Sequence, residues 1–116
     1  MTDEIDSEKI NSEAILSHIK DVLSDEKYGY AAAVVTYCEA KSRKFLYSGM
    51  AEFRDALSHI QRALNAKNEK TLFEETNSAS EHIRRAGVES MQEYIESRYD
   101  DFDKRISRCC RRCRCK

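Results

Sequence analysis

The chain has 116 residues, which is enough for one domain with a hydrophobic core, and 35% of its residues are charged. It contains no Pro, no Trp and three Gly, so the turn residues that a strand-rich fold requires are scarce. No apolar run approaches the roughly 20 residues that a membrane-spanning helix needs. The composition therefore argues against a β-sheet fold and a membrane span, and it predicts long helices with few connections.

Charge is distributed unevenly along the chain. Residues 1–103 carry 13 basic side chains against all 21 acidic ones, a net charge of −8, whereas residues 104–116 carry seven basic side chains and no acidic one. The acidic part repels nucleic acid, and the basic end attracts it. The acidic start lacks the basic and apolar order of a signal peptide, so we expect a cytoplasmic, reducing location.

Two helices are predicted in the first part of the chain, where apolar residues recur at helical spacing. The first is expected over residues 7–25, with Ser7 or Ser12 as its N-cap. A polar turn that ends in Gly leads to the second, expected over residues 30–42 or slightly beyond. Cys38 lies on an apolar stretch of this second helix, and we expect its thiol to be buried.

The second part of the chain predicts a third and a fourth helix. A break is expected at residues 46–49, with Ser48 as a cap, and the third helix follows over residues 50–66. A short polar loop then ends in Asn68, which can cap the next helix. This fourth helix is expected from residue 69 to about residue 108, because its apolar stripe continues that far.

These elements predict an all-α fold, namely a compact up-down bundle of four to five helices with a long C-terminal helix. Gly87 leaves two alternatives open, a kinked fourth helix or two separate helices, because Gly costs about 1 kcal/mol in a helix interior. The predicted domain covers residues 1–107. Residues 108–116 are predicted to form a flexible, basic and Cys-rich tail.

The third helix carries the one spacing that suggests chemistry. Its apolar side is predicted to comprise Phe53, Leu57, Ile60 and Leu64. Arg54 and His59 then flank the outward face on its two sides. Asp55 precedes His59 by four residues, so its carboxylate can hydrogen-bond the imidazole and orient it.

The pattern Arg54-Asp55-x-x-x-His59 resembles the R-x(4–6)-H motif of the HEPN superfamily of all-helical domains. The resemblance implies a metal-independent ribonuclease that acts as a homodimer, with two copies of the motif in one cleft and no cofactor. It implies that His59 serves as general base or acid, that Arg54 holds the scissile phosphate, and that Asp55 tunes the pair. The implied partners are RNA or a neutralising protein.

Three further residues are candidates for binding nucleic acid or a protein partner. Arg62 lies on the same outward face, and His82 and Arg85 on the fourth helix are expected to line the same groove. Two alternatives stay open for these polar residues. They can form a solvated face with His82 packed at its boundary, or they can belong to a helical protein-interaction module without catalysis and of unknown partner.

The basic end holds four of the five cysteines within residues 109–115. A structural zinc site usually has two ligand pairs separated by a dozen or more residues, so this spacing argues against one, and no metal ligand is predicted. The alternatives that stay open are thiolate binding of Cu(I) or of zinc shared between chains, acylation beside basic residues, a nucleic-acid-binding arm, and an incidental terminus.

Overall fold

The structure, a computed structural model, describes residues 10–114, with side chains up to Arg111. Ser7 and the side chains of residues 112–116 lie outside the described residues. The described part is helical without strands, which confirms the predicted all-α class, and none of its helices is long and apolar enough to cross a bilayer. Its elements are α1 (Ser12–Val22), a π-helical turn (Asp25–Gly29), α2 (Tyr30–Ser42), α3 (Tyr47–Leu64) and α4 (Glu69–Arg114).

The long helix α4 is the element on which α1, α2 and α3 all pack. Between α1 and α2 lie only Leu23, Ser24 and the π-helical turn. The described chain measures 89 × 21 × 16 Å. The predicted long C-terminal helix is confirmed, but the compact bundle of four to five helices is not. The 46-residue α4 extends about 69 Å, and the shorter helices cover only its first part.

Two Asn side chains begin helices by accepting a hydrogen bond from a free backbone amide. Asn68 accepts from the Thr71 amide at 2.8 Å, which confirms its predicted role as the cap of α4. The Asn11 side chain accepts from the Ala14 amide at 2.8 Å. Asn11 therefore caps α1, whose expected cap was Ser7 or Ser12.

The break predicted at residues 46–49 lies at residues 43–46, because α2 ends at Ser42 and α3 already begins at Tyr47. Ser48 lies in the first turn, where its hydroxyl hydrogen-bonds the carboxylate of Glu93 on α4. The adjacent Gly49 is buried against Ser90, also on α4. Contact with α4 therefore holds the first turn of α3 in helical form, a tertiary effect that local sequence does not reveal.

The buried side of α3 is rotated from the predicted one. Its buried residues after Gly49 are Ala56, Ile60 and Ala63, whereas Leu57 is 65% exposed and Leu64 is 54% exposed. The small side chains let α3 and α4 approach closely, and close approach turns the bulky leucines outward. The same rotation brings the polar flank of α3 against α4, and this flank carries the site described below.

Gly87 was predicted either to kink the fourth helix or to divide it into two helices. The helix α4 continues through Gly87 without a break and extends to Arg114, so it includes most of the predicted tail. Gly87 is buried beside Ala31 of α2. Cys38, also on α2, is fully buried as predicted, and burial raises the pKa of its thiol.

Substitution by Ala should change the free energy of unfolding in opposite directions at Gly49 and Gly87. A Cβ at Gly87 meets Ala31 no closer than 3.7 Å, an ordinary contact, so Gly87→Ala should raise the free energy of unfolding by about 0.5–1 kcal/mol. A Cβ at Gly49 collides with the Ser90 hydroxyl, so Gly49→Ala should lower it by about 1–3 kcal/mol. Urea denaturation measures both, and a stabilising Gly49→Ala would contradict the close α3–α4 packing.

Candidate functional site: two histidine–glutamate pairs between α3 and α4

Two hydrogen-bonded pairs of His and Glu connect α3 to α4. His59 Nδ1 on α3 lies 2.6 Å from Glu75 Oε2 on α4. His82 Nδ1 on α4 lies 2.6 Å from Glu52 Oε2 on α3. Each helix therefore supplies one imidazole and one carboxylate, and each pair crosses the helix–helix contact.

The two imidazoles lie together as one cluster. The rings of His59 and His82 stack with their centroids 5.1 Å apart and their planes 20° from parallel. The side chain of His59 is 24% exposed and that of His82 is 20% exposed, so solvent reaches both rings although both are packed between the helices. In both rings Nδ1 is hydrogen-bonded to a carboxylate, and Nε2 has no hydrogen-bond partner among the described residues.

The arginine Arg62 stands beside the first pair. Its Nη1 lies 3.1 Å from His59 Nδ1 and 3.4 Å from Glu75 Oε2. A guanidinium only donates, and one ring nitrogen cannot accept from Arg62 while donating to Glu75. We therefore assign the ring proton to Nδ1, which donates it in a hydrogen bond to Glu75. The Arg62 guanidinium donates a second hydrogen bond to the same carboxylate. This assignment leaves Nε2 of neutral His59 unprotonated.

Glu75 carries the clearest electrostatic effect at the site. The hydrogen bond from His59 is the main cause that lowers the pKa of the Glu75 carboxyl, and the charge of Arg62 acts in the same direction against a partial cost of burial. The charged carboxylate is therefore favoured in the folded protein. It holds the Nδ1 proton of His59 in place.

The lowered pKa of Glu75 predicts a pH-dependent contribution to stability. A carboxyl group whose pKa is lower in the folded state than in the unfolded state stabilises the fold. Its contribution is complete when the pH is above the pKa of the unfolded state, and it is lost as the pH falls through the pKa of the folded state. The difference in unfolding free energy between wild type and Glu75→Gln should be full above the ordinary pKa of 4.5 and shrink below it. Urea denaturation of both proteins across this pH range measures the difference in unfolding free energy. A difference that grows as the pH falls would contradict the pairing of Glu75 with His59.

The second pair has another carboxylate beside it. One oxygen each of Glu52 and Asp55 and a ring nitrogen of His82 lie within 4.8 Å of one another. Such donors can hold a divalent cation, although the sequence predicts no metal. The hydrogen bond between His82 and Glu52 already accounts for the proximity of these two groups.

The structure separates some of the predicted site residues. Asp55 was expected to orient His59, but Glu75 takes that position, and Asp55 Oδ1 instead lies 3.6 Å from Arg54 Nε. The Arg54 side chain is 70% exposed and lies about 140° around α3 from His59. Arg85, expected in the groove, lies 3.7 Å from Glu81 on its own helix. Of the predicted residues, His59, His82 and Arg62 do lie together, with Asp55 next to them.

The two glutamates Glu52 and Glu75 were missed by sequence reasoning. A signal for them exists, because Glu52 precedes His59 by seven residues and Glu75 precedes His82 by seven residues. Residues seven apart share a helix face. When two such helices pack antiparallel, each Glu meets the His of the other helix.

Comparison with known proteins adds no family to this geometry: no family model, no curated protein and no solved structure matches the chain. The resemblance to the HEPN superfamily therefore stays a prediction. The arrangement of the described side chains is what carries the proposals below.

Proposed function

We propose that this chain is a HEPN-like helical domain that cleaves RNA without a metal, acts as a homodimer and is cytoplasmic. The observation that carries the catalytic part is the stacked pair His59 and His82, in which each Nδ1 is held by a carboxylate and each Nε2 is left for proton transfer. Carboxylate-oriented imidazoles that solvent can reach are suited to general acid–base catalysis near neutral pH.

The chemistry requires one neutral and one protonated imidazole. His59 Nε2 accepts the proton of a ribose 2′-hydroxyl, whose oxygen attacks the adjacent phosphorus. Protonated His82 gives its Nε2 proton to the leaving 5′-oxygen as the P–O bond breaks. The products are a 2′,3′-cyclic phosphate and a 5′-hydroxyl, and one proton has passed to His59 and one from His82.

The arginine Arg62 suits the developing negative charge of the phosphate. Its side chain is 53% exposed and lies within hydrogen-bond distance of the His59–Glu75 pair. A guanidinium at this place can bind two phosphate oxygens at once. The carboxylates of Glu52 and Asp55 lie beside His82, whereas Arg62 is the cation that lies beside His59, so the proposed phosphate site is at Arg62.

This assignment departs from the motif on which the resemblance rests. The resemblance implies that Arg54 holds the phosphate and that Asp55 tunes the site, whereas the exposed Arg54 is paired with Asp55 here. The proposal keeps His59, gives the phosphate to Arg62 and adds His82 as the second proton-transfer group. RNA is the proposed substrate, and a neutralising protein is a further proposed partner.

The direct test is cleavage of a mixed RNA pool by the purified chain in EDTA over pH 5–9. We expect fragments that end in 2′,3′-cyclic phosphate and a rate that is bell-shaped in pH, because one ring must be neutral and the other charged. A DNA pool of matched sequence serves as control, since it lacks the 2′-hydroxyl. Equal cleavage of both pools, or no cleavage of RNA at any pH, would contradict the proposal.

A second candidate function is a helical protein-interaction module without catalysis. It is favoured by the apolar groove of 590 Å³ between α2 and α4, which Tyr30, Val34, Ile83 and Met91 help to line. Exposed apolar surface of this kind marks interaction sites. Under this alternative RNA stays intact, and the histidine pairs serve only to hold α3 against α4.

A further inference from the structure

Beyond Ser97, α4 has no neighbour among the described residues. Lys44 Nζ reaches Ser97 at 3.2 Å, and every side chain from Arg98 to Arg111 is exposed. A single helix of this length is marginally stable in water unless an apolar face is packed. This part of α4 therefore needs a covering surface to be helical in solution.

An apolar stripe follows this exposed part with the spacing of a coiled coil. Its residues recur alternately at four and three positions, and the aliphatic and aromatic ones are 46–71% exposed, namely Ile95, Tyr99, Phe102, Ile106 and Cys109. In heptad notation Tyr99 and Ile106 occupy a positions, and the other three occupy d positions. We call these five residues the α4 seam.

The residues that flank the α4 seam are sorted by charge. Glu96 and Asp103 occupy the e positions, and Arg98 and Arg105 occupy the g positions. In a parallel pair a g residue meets the following e residue of the other helix, whereas an antiparallel pair sets e against e and g against g. The parallel arrangement brings Arg98 at a g position to Asp103 at the following e position, whereas the antiparallel one sets like charges against each other.

We propose that two copies of this chain dimerise through a parallel coiled coil formed by the α4 seam. Arg98 of each copy then pairs with Asp103 of the partner subunit. Arg98 and Asp103 of one chain are five residues apart, about 140° around the helix, so they do not pair within it. Arg98 and Asp103 can therefore pair only between chains.

This interface differs from the shared cleft that the HEPN resemblance implies. His82 precedes Ile95 by 13 residues, about 20 Å along α4, and lies about 140° around the helix from it. The dimer therefore carries two separate histidine clusters. The inference does not rest on RNA cleavage, and it gives the homodimer in the proposed function a specific surface.

The first test is the mass of the full chain in solution, by sedimentation over a concentration series in reducing buffer. Wild type should be a dimer, and Ile106→Lys should weaken dimerisation at least about 100-fold, because two apolar side chains leave the seam. Ser107→Lys puts the same charge one residue further, at an outward b position, and should leave the dimer intact. A wild-type monomer throughout, or a dimer that Ile106→Lys leaves unchanged, would overturn the proposal.

A charge exchange tests the direction of the pair. Arg98→Glu alone and Asp103→Arg alone should each weaken the dimer about tenfold, because each opposes like charges at two places. The double variant should restore wild-type dimerisation if the helices are parallel. Failure of the double variant to restore it would overturn the parallel arrangement. None of these residues belongs to the histidine cluster, so RNA cleavage succeeds or fails independently.

Discussion

Ile60→Ala should lower the free energy of unfolding by about 2–4 kcal/mol, whereas Leu57→Ala should change it by less than about 0.5 kcal/mol. Ile60 is 8% exposed and packs into the core with Ala56 and Ile83, so its truncation leaves a cavity between α3 and α4. Leu57 is 65% exposed, so most of the surface that the substitution removes was already in contact with water.

The pair of variants also measures which side of α3 faces α4. Both residues are large, aliphatic and on the same helix, so helix propensity affects the two substitutions similarly. Thermal and urea denaturation give the two free energies. A Leu57→Ala variant that is the more destabilised would contradict the rotation of α3 and would restore the buried side that sequence periodicity predicts.

The sequence predicted the class and the simpler boundaries because these depend on local chemistry. The scarcity of turn residues indicated helices, and the Asn68 side chain capped α4 as expected. The orientation of α3 was not predictable in this way. An apolar stripe selects the bulky leucines as the core, but the packing distance to α4 is set by the small Gly49, Ala56 and Ala63.

At the candidate site the histidines were predictable from local sequence, but their carboxylate partners were not. His59 was singled out by its position on α3, and His82 by its position on α4. Their carboxylate partners lie 16 and 30 residues away in the sequence, so only the antiparallel packing of α3 on α4 shows which acid meets which ring. Asp55, four residues from His59, was the local choice, and a partner from the other helix replaced it.

His59→Ala and His82→Ala should each lower kcat/KM for RNA cleavage about 100- to 10,000-fold, because each removes one of the two proposed proton-transfer groups. Arg62→Ala should lower it as well, through the lost charge at the phosphate. Arg54→Ala should have little effect, since Arg54 lies away from the rings with Asp55. The matched control is His18→Ala, which removes the remaining histidine of the chain, on α1.

The ranking of Arg54 against Arg62 separates two accounts of the same residues. If Arg54→Ala lowers cleavage as much as His59→Ala, the site is the one that the HEPN resemblance implies, assembled across a dimer. If Arg62→Ala does so, the site is the one described between α3 and α4. Circular dichroism of each variant shows whether its helices are retained, so that loss of activity is distinguished from loss of fold.

The central claim is that His59 and His82 form one acid–base site, and cleavage of the RNA pool in EDTA by wild type, His59→Ala, His82→Ala and His18→Ala tests it most directly. We predict cyclic-phosphate fragments from wild type and His18→Ala, and intact RNA from the other two under the same conditions. Cleavage that survives both His59→Ala and His82→Ala, or wild type that leaves RNA intact, would contradict the claim.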